Sequence, residues 1–123
     1  MGDKKRILIV DDEPDLLRAI AFRLEIEGYK TLTARDGKRG LELAKKERPD
    51  LILLDIKLPV MDGKYVCQRL KSDDNFKKIP VILLTASGVG KRVNIKKVFG
   101  ADDYILKPFE PEELLNKVKK HIR

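Results

Sequence analysis

The chain has little of several things. It has one cysteine, Cys67, one histidine and no tryptophan among 123 residues, and aromatic residues make up 6%. A lone cysteine cannot close an intrachain disulfide and fits a reducing cytosol. No apolar stretch approaches the roughly 18 residues of a membrane span, and the N-terminus lacks a signal-peptide core, so a soluble cytoplasmic protein without membrane partners is expected. There is no polar low-complexity tract, and 42% of residues are hydrophobic, which argues against disorder. No recognition-helix or base-stacking motif is present either. The net charge of +7 is spread along a chain that is 38% charged. A mixed solvated surface is therefore the simpler reading, and direct nucleic-acid binding is not expected.

What is present is an alternation of strand-like and helix-like segments. Ile7–Val10, Leu51–Leu54 and Val81–Leu84 are continuously apolar, as strands buried on both faces should be. Tyr29–Ala34 alternates, and Tyr104–Leu106 follows Asp102-Asp103, so both suit sheet edges. Between them lie helical patterns. Pro14 starts the first, with Leu16, Leu17, Ile20, Ala21 and Leu24 inward and Gly28 at its end. Leu41, Leu43 and Ala44 mark the second, and Tyr65, Val66, Cys67 and Leu70 the third. Val93, Ile95, Val98 and Phe99 mark the fourth, closed by Gly100, and Pro111 opens a last helix with Leu114, Leu115, Val118 and Ile122 inward. The pattern is α/β: a doubly wound (βα)5 domain over 1–123 with five parallel strands ordered 2-1-3-4-5, as in flavodoxin-like folds.

Four of these strands end in polar groups. Asp11-Asp12 follows the first, Asp55 the third, Thr85 the fourth and Lys107-Pro108 the fifth. Open α/β sheets bind ligands at that carboxyl edge. Crowded carboxylates retain protons unless a cation compensates them. A hard divalent ion, Mg²⁺ or Mn²⁺, suits an all-oxygen set. With an ammonium and a hydroxyl added, the groups suit a site that receives a phosphoryl group, and an aspartate can itself be the nucleophile.

At these residues the chain resembles the receiver (response-regulator) domains of two-component signalling, from Arg6 to Ile122. The motifs are Asp11-Asp12, Asp55 through Gly63, Thr85-Ala86 and Lys107-Pro108-Phe109. The resemblance implies that Asp55 is the phospho-acceptor, taking a phosphoryl group from a phosphohistidine of a sensor histidine kinase or histidine phosphotransfer protein. It implies metal ligation by Asp12 and Asp55, by Asp11 through water, and by the Lys57 backbone carbonyl. Lys107, the Thr85 hydroxyl and the Ala86 amide would contact the phosphoryl oxygens. Thr85 and Tyr104 would be the switch pair, changing a surface of fourth helix, fifth strand and fifth helix that binds a downstream effector, with homodimerisation on phosphorylation a further expectation. Such a protein is a signalling switch, not an enzyme with a separate substrate. Leu58 stands where methionine is common in the family, and the Lys57 side chain is expected to affect the lifetime of the phosphorylated state.

Two other classes are weighed against this. A phosphotransferase or phosphatase of the haloacid dehalogenase type expects a second aspartate two residues after the nucleophile, where Lys57 stands. A flavodoxin-like cofactor binder expects a phosphate-cradling loop after the first strand, which is missing. Ser87–Arg92 lacks the spacing of a phosphate-binding loop and reads as an ordinary loop. Cys67 reads as a small core residue, and His121 as a cation suited to a helix C-terminus, without a catalytic role.

Overall fold

The structure, a computed structural model, describes residues 3–86, 94 and 99–122. Strands β1 (Arg6–Val10), β2 (Lys30–Ala34), β3 (Leu51–Asp55), β4 (Val81–Ala86) and β5 (Asp103–Lys107) form one parallel sheet in the order β2-β1-β3-β4-β5. Helices α1 (Pro14–Ile26), α2 (Gly37–Glu47), α3 (Gly63–Lys71) and the C-terminal helix (Pro111–His121) connect and flank them. The expected order and both edge strands are borne out. Most of the expected fourth helix, with Val93, Ile95 and Val98, lies outside the described residues, as does the loop 87–92; with them go the cations Lys91, Arg92, Lys96 and Lys97. Among the described residues no helix is long and apolar enough to cross a membrane.

Strict alternation along the central strands divides the interior in two. Leu8, Val10, Ile52, Leu54 and Leu83 point toward α2 and α3, where they meet Leu41, Ala44, Val66, Cys67 and Leu70. Ile7, Ile9, Leu51, Leu53, Ile82 and Leu84 point the other way, toward Leu17, Ile20 and Leu24 of α1 and Leu114, Leu115 and Val118 of the C-terminal helix. Nearly all of these side chains are fully buried, and each Leu, Ile and Val among them contributes roughly 1.5–3 kcal/mol of hydrophobic stabilisation. A strand buried on both faces has no place for a polar group until it emerges from between the layers, so the first polar residues fall together at the carboxyl edge.

The helix starts follow local chemistry. Proline opens α1 and the C-terminal helix, where its missing amide proton costs no hydrogen bond. Asp36 and Asp62 cap α2 and α3, accepting from the Arg39 and Lys64 amides, each at 2.7 Å. Of the four residues that mark the third helix, Tyr65 is exposed, packing under Arg69 with its hydroxyl accepting from that guanidinium at 2.7 Å. Three consecutive apolar residues cannot all face inward from a helix, and Val66, Cys67 and Leu70 take the core.

Candidate functional site

The register of the sheet sets the site. Val10 pairs with Leu54, Asp55 with Leu84, and Ala86 with Lys107, so the polar residues that follow or end β1, β3, β4 and β5 share one edge. Asp11 is fully buried, Asp55 nearly so, and Asp12 is exposed. One carboxylate oxygen from each of the three lies within 4.8 Å of the others. The Lys107 Nζ donates to Asp11 Oδ2 at 3.0 Å and to Asp55 Oδ2 at 3.1 Å, bridging β5 to β1 and β3. The second oxygens are held by backbone: Asp11 Oδ1 accepts from the Glu13 amide at 2.9 Å and Asp55 Oδ1 from the Lys57 amide at 3.2 Å. A cleft of about 230 Å³ opens over these groups, lined by Asp12, Glu13, Asp55, Ile56, Lys57, Thr85, Ala86 and Lys107.

Thr85 is buried at the end of β4 and its hydroxyl donates to the Ala86 carbonyl across a long 3.3 Å. That weak bond is easily exchanged for a better acceptor in the cleft. Tyr104, the other expected switch residue, is half-buried on β5 and packs against the α2–α3 side of the core. Lys117 Nζ lies 5.4 Å from its ring centroid and donates to its carbonyl at 2.9 Å. The Lys107–Pro108 peptide bond is cis.

The electrostatics are those of an undercompensated anion cluster. Burial pushes the Asp55 carboxyl above the ordinary carboxylate range; the Lys107 bond and charge oppose this, Asp11 adds to it, and the Lys57 amide opposes it. Burial pushes the Lys107 ammonium down, but the hydrogen bonds and charges of Asp11 and Asp55 outweigh it and hold its pKa above the usual lysine value. One ammonium faces three carboxylates, so the fully ionised cluster carries two excess negative charges. An all-oxygen donor set of that charge fits a hard divalent cation.

The loop between β3 and α3 is seated by two glycines whose role sequence reasoning missed. A Cβ on Gly63 would lie 2.0 Å from the Asp55 carbonyl oxygen, and one on Gly37 would lie 1.7 Å from the Met61 carbonyl oxygen. The Gly63 amide donates to the Ile56 carbonyl at 2.8 Å, and Val60 sits at φ +69° within the loop. Asp62-Gly63 signals a turn in the sequence, but nothing local announces that backbone presses on backbone there. Also missed was a second polar cluster: buried Asp103, at the start of β5, takes Lys117 Nζ and His121 Nε2, both at 2.8 Å. It lies at the opposite end of β5 from Lys107 and takes no part in the cleft.

Comparison with known proteins agrees with this geometry. The family model for the response regulator receiver domain matches residues 7–119. The chain is 45% identical over 118 residues to the DNA-binding dual master transcriptional regulator RpaA of Synechocystis sp., covering 96% of this chain and 49% of that protein. It spans about half the length of the curated relatives it matches. Among solved structures, the chemotaxis response regulator CheY4 of Vibrio cholerae superposes with a TM-score of 0.90 at 30% identity, covering 98% of this chain and 100% of that one. The receiver domain of the sensor histidine kinase PA1611 from Pseudomonas aeruginosa, with magnesium coordinated in its active-site cleft, gives 0.86 at 32% identity, covering 97% and 98%. The strand-end residues, the sheet order and these matches lead to one assignment: the chain belongs to the response regulator receiver domain family.

Proposed function

We propose that Asp55 is the phospho-acceptor of a two-component signalling switch, phosphorylated by a sensor histidine kinase or histidine phosphotransfer protein. The observation that carries this reading is the convergence of Asp11, Asp12, Asp55 and Lys107 in one cleft, with Thr85 and Ala86 on its wall. An Asp55 oxygen attacks phosphorus, the phosphorus–nitrogen bond to the donor imidazole breaks, and the imidazole leaves as the neutral ring after taking up a proton. Lys107 keeps Asp55 oriented beforehand and shares its charge with the incoming phosphoryl oxygens. Asp12 and Asp55, with Asp11 through water and the Lys57 carbonyl, would hold Mg²⁺ or Mn²⁺. When bound, that ion supplies neutralisation of the negative charge gathered between the carboxylates and the phosphoryl group.

The output is a change of surface. The Thr85 hydroxyl, bonded only weakly to the Ala86 carbonyl, is free to turn toward the new phosphoryl oxygens, joined by the Ala86 amide. Tyr104 then moves inward and alters the face of β5 and the C-terminal helix for an effector. This is a local charge event that biases a two-state element.

Intact-mass spectrometry after incubation with acetyl phosphate and Mg²⁺ tests the reading. A gain of one phosphoryl group is expected in the wild type and none in Asp55→Asn. Labelling that persists in Asp55→Asn, or sustained turnover of phosphate esters, overturns it in favour of another acceptor or a hydrolase.

A further inference from the structure

The cations that look dispersed in the sequence are segregated by the fold. The α2–α3 layer, residues 35–48 and 63–78, carries eleven Lys and Arg against five Asp and Glu, a net of +6. The opposite layer, residues 13–27 and 110–122, carries five against seven, a net of −2. Pairing differs as sharply. Three of the five cations in the acidic layer, Arg18, Lys117 and Lys119, are ion-paired. In the basic layer, among the described residues, only Lys71 and Lys77 of the eleven are. Arg35, Lys38, Arg39 and Lys46 are exposed, Lys45 is half-buried, and none of their side chains has a carboxylate partner among the described residues.

We propose that this face binds the phosphate backbone of double-stranded nucleic acid without reading its bases. At about 100° per residue, Lys38, Arg39, Lys45 and Lys46 fall within one outward arc of roughly 120° on α2. The two pairs stand seven residues apart, about 10 Å along the axis, so both can meet phosphates at once. Leu41 and Ala44, on the other side of the helix, fix that orientation by being buried. An acidic peptide would have to bind this open surface almost by charge alone, with few of the buried aromatic or apolar anchors that dominate protein interfaces. Here the exposed large apolar residues lie elsewhere: Phe22 and Ile26 are on α1 and Val60 is in the loop. The exception is Tyr65 on α3, which is exposed and packs beneath Arg69, off the α2 arc. Exposed cations that no carboxylate neutralises are suited to neutralising phosphates and releasing their counterions. One acid, Glu42, stands within the same arc and opposes such binding.

Anisotropy of a labelled duplex of about 20 base pairs tests this, at salt concentrations from about 50 to 200 mM. Saturable binding at the low end is expected, independent of base composition, weakening roughly 150-fold across the range with a log–log slope of about −3.6, for about four phosphate contacts. Replacing Lys38, Arg39, Lys45 and Lys46 by Glu should cost at least tenfold, whereas Arg18→Glu with Arg23→Glu should change affinity less than twofold. Glu42→Gln, which leaves the fold untouched, should strengthen binding severalfold. Absence of binding at low salt, equal losses in the two charge-reversed variants, an inert Glu42→Gln, or tighter binding of an oligoglutamate probe than of the duplex would each overturn the proposal. The inference does not depend on phosphoryl transfer. Asp55→Asn should bind the duplex like the wild type, and failure here leaves the reading of Asp55 standing.

Discussion

Gly63 shows how closely the phospho-acceptor depends on a residue with no side chain. Its Cα abuts the Asp55 carbonyl, and an added methyl would penetrate that oxygen at 2.0 Å. The obstacle is backbone in a central strand, which cannot swing aside as a side-chain tip can. Gly63→Ala should therefore cost roughly 2–3 kcal/mol of stability by overpacking and slow labelling by acetyl phosphate, because relief comes from moving Asp55 or the loop carrying Lys57. Urea unfolding and intact-mass kinetics measure the two effects; a variant as stable and as readily labelled as wild type would refute the argument. Cys67 offers the opposite case, a reactive group kept inert. It is fully buried, donates to the Phe99 carbonyl at 3.3 Å, and burial pushes its thiol up to about 12, with Lys71 pulling down and Asp102 pushing up. Alkylation by iodoacetamide near neutral pH should be on the order of a thousandfold slower in the native protein than in denaturant. Native labelling within tenfold of the unfolded rate would mean that the site opens. The core role of Cys67 was legible from its neighbours Val66 and Leu70, whereas the demand for glycine at 63 was not, since it arises only when strand and loop are packed.

Between elements, the main fastening missed by sequence reasoning joins β5 to the C-terminal helix. Two acids at the start of an edge strand read as a polar margin, yet Asp103 is buried, and its partners Lys117 and His121 come from one turn before the end of a helix and from its last residue. No short-range pattern connects residues 14 and 18 apart in different elements. The helix itself was legible, because Pro111 and the spacing of Leu114, Leu115 and Val118 are local signals. Burial raises the Asp103 carboxyl, but bonds from Lys117, His121 and the Tyr104 amide, with the Lys117 charge, outweigh it and hold the pKa down to about 2. A depressed folded-state pKa contributes stability that is complete above the unfolded value near 4 and is lost as pH falls toward the folded one. The contribution is on the order of 2 kcal/mol. Urea midpoints of wild type and Asp103→Asn should differ most above about pH 5 and converge between about pH 4 and 2. A gap that stays constant across that window would show that the carboxylate charge is not what fastens the helix.

On the scale of the whole molecule, two apolar half-cores clamp the sheet and leave its carboxyl edge to collect charge. That division is why so much of the site was legible beforehand: a fully apolar strand announces its own end, and the sheet order brings the ends of β1 and β3 together as neighbours. What could not be read was the surface, because helix faces gather cations from α2 and α3 that are separated along the chain. The edge also makes a prediction for the molecule's stability. Lys107 already ties β5 to β1 and β3 through Asp11 and Asp55, but one ammonium leaves two negative charges unbalanced. An ion that binds there and not to the unfolded chain adds about 2.7 kcal/mol at a hundred times its dissociation constant. For a domain of this size that raises the melting temperature by on the order of 10 °C. Melting curves in MgCl₂ should therefore lie above those in KCl of matched ionic strength. Asp12 is exposed and outside the Lys107 bridge, so Asp12→Asn should keep the KCl melting temperature near wild type and flatten the response to Mg²⁺. An equal Mg²⁺ response in Asp12→Asn, or none in the wild type, would dissociate the carboxylate cluster from divalent-ion binding. Asp55 would then have to receive a phosphoryl group against charge that Lys107 alone cannot balance.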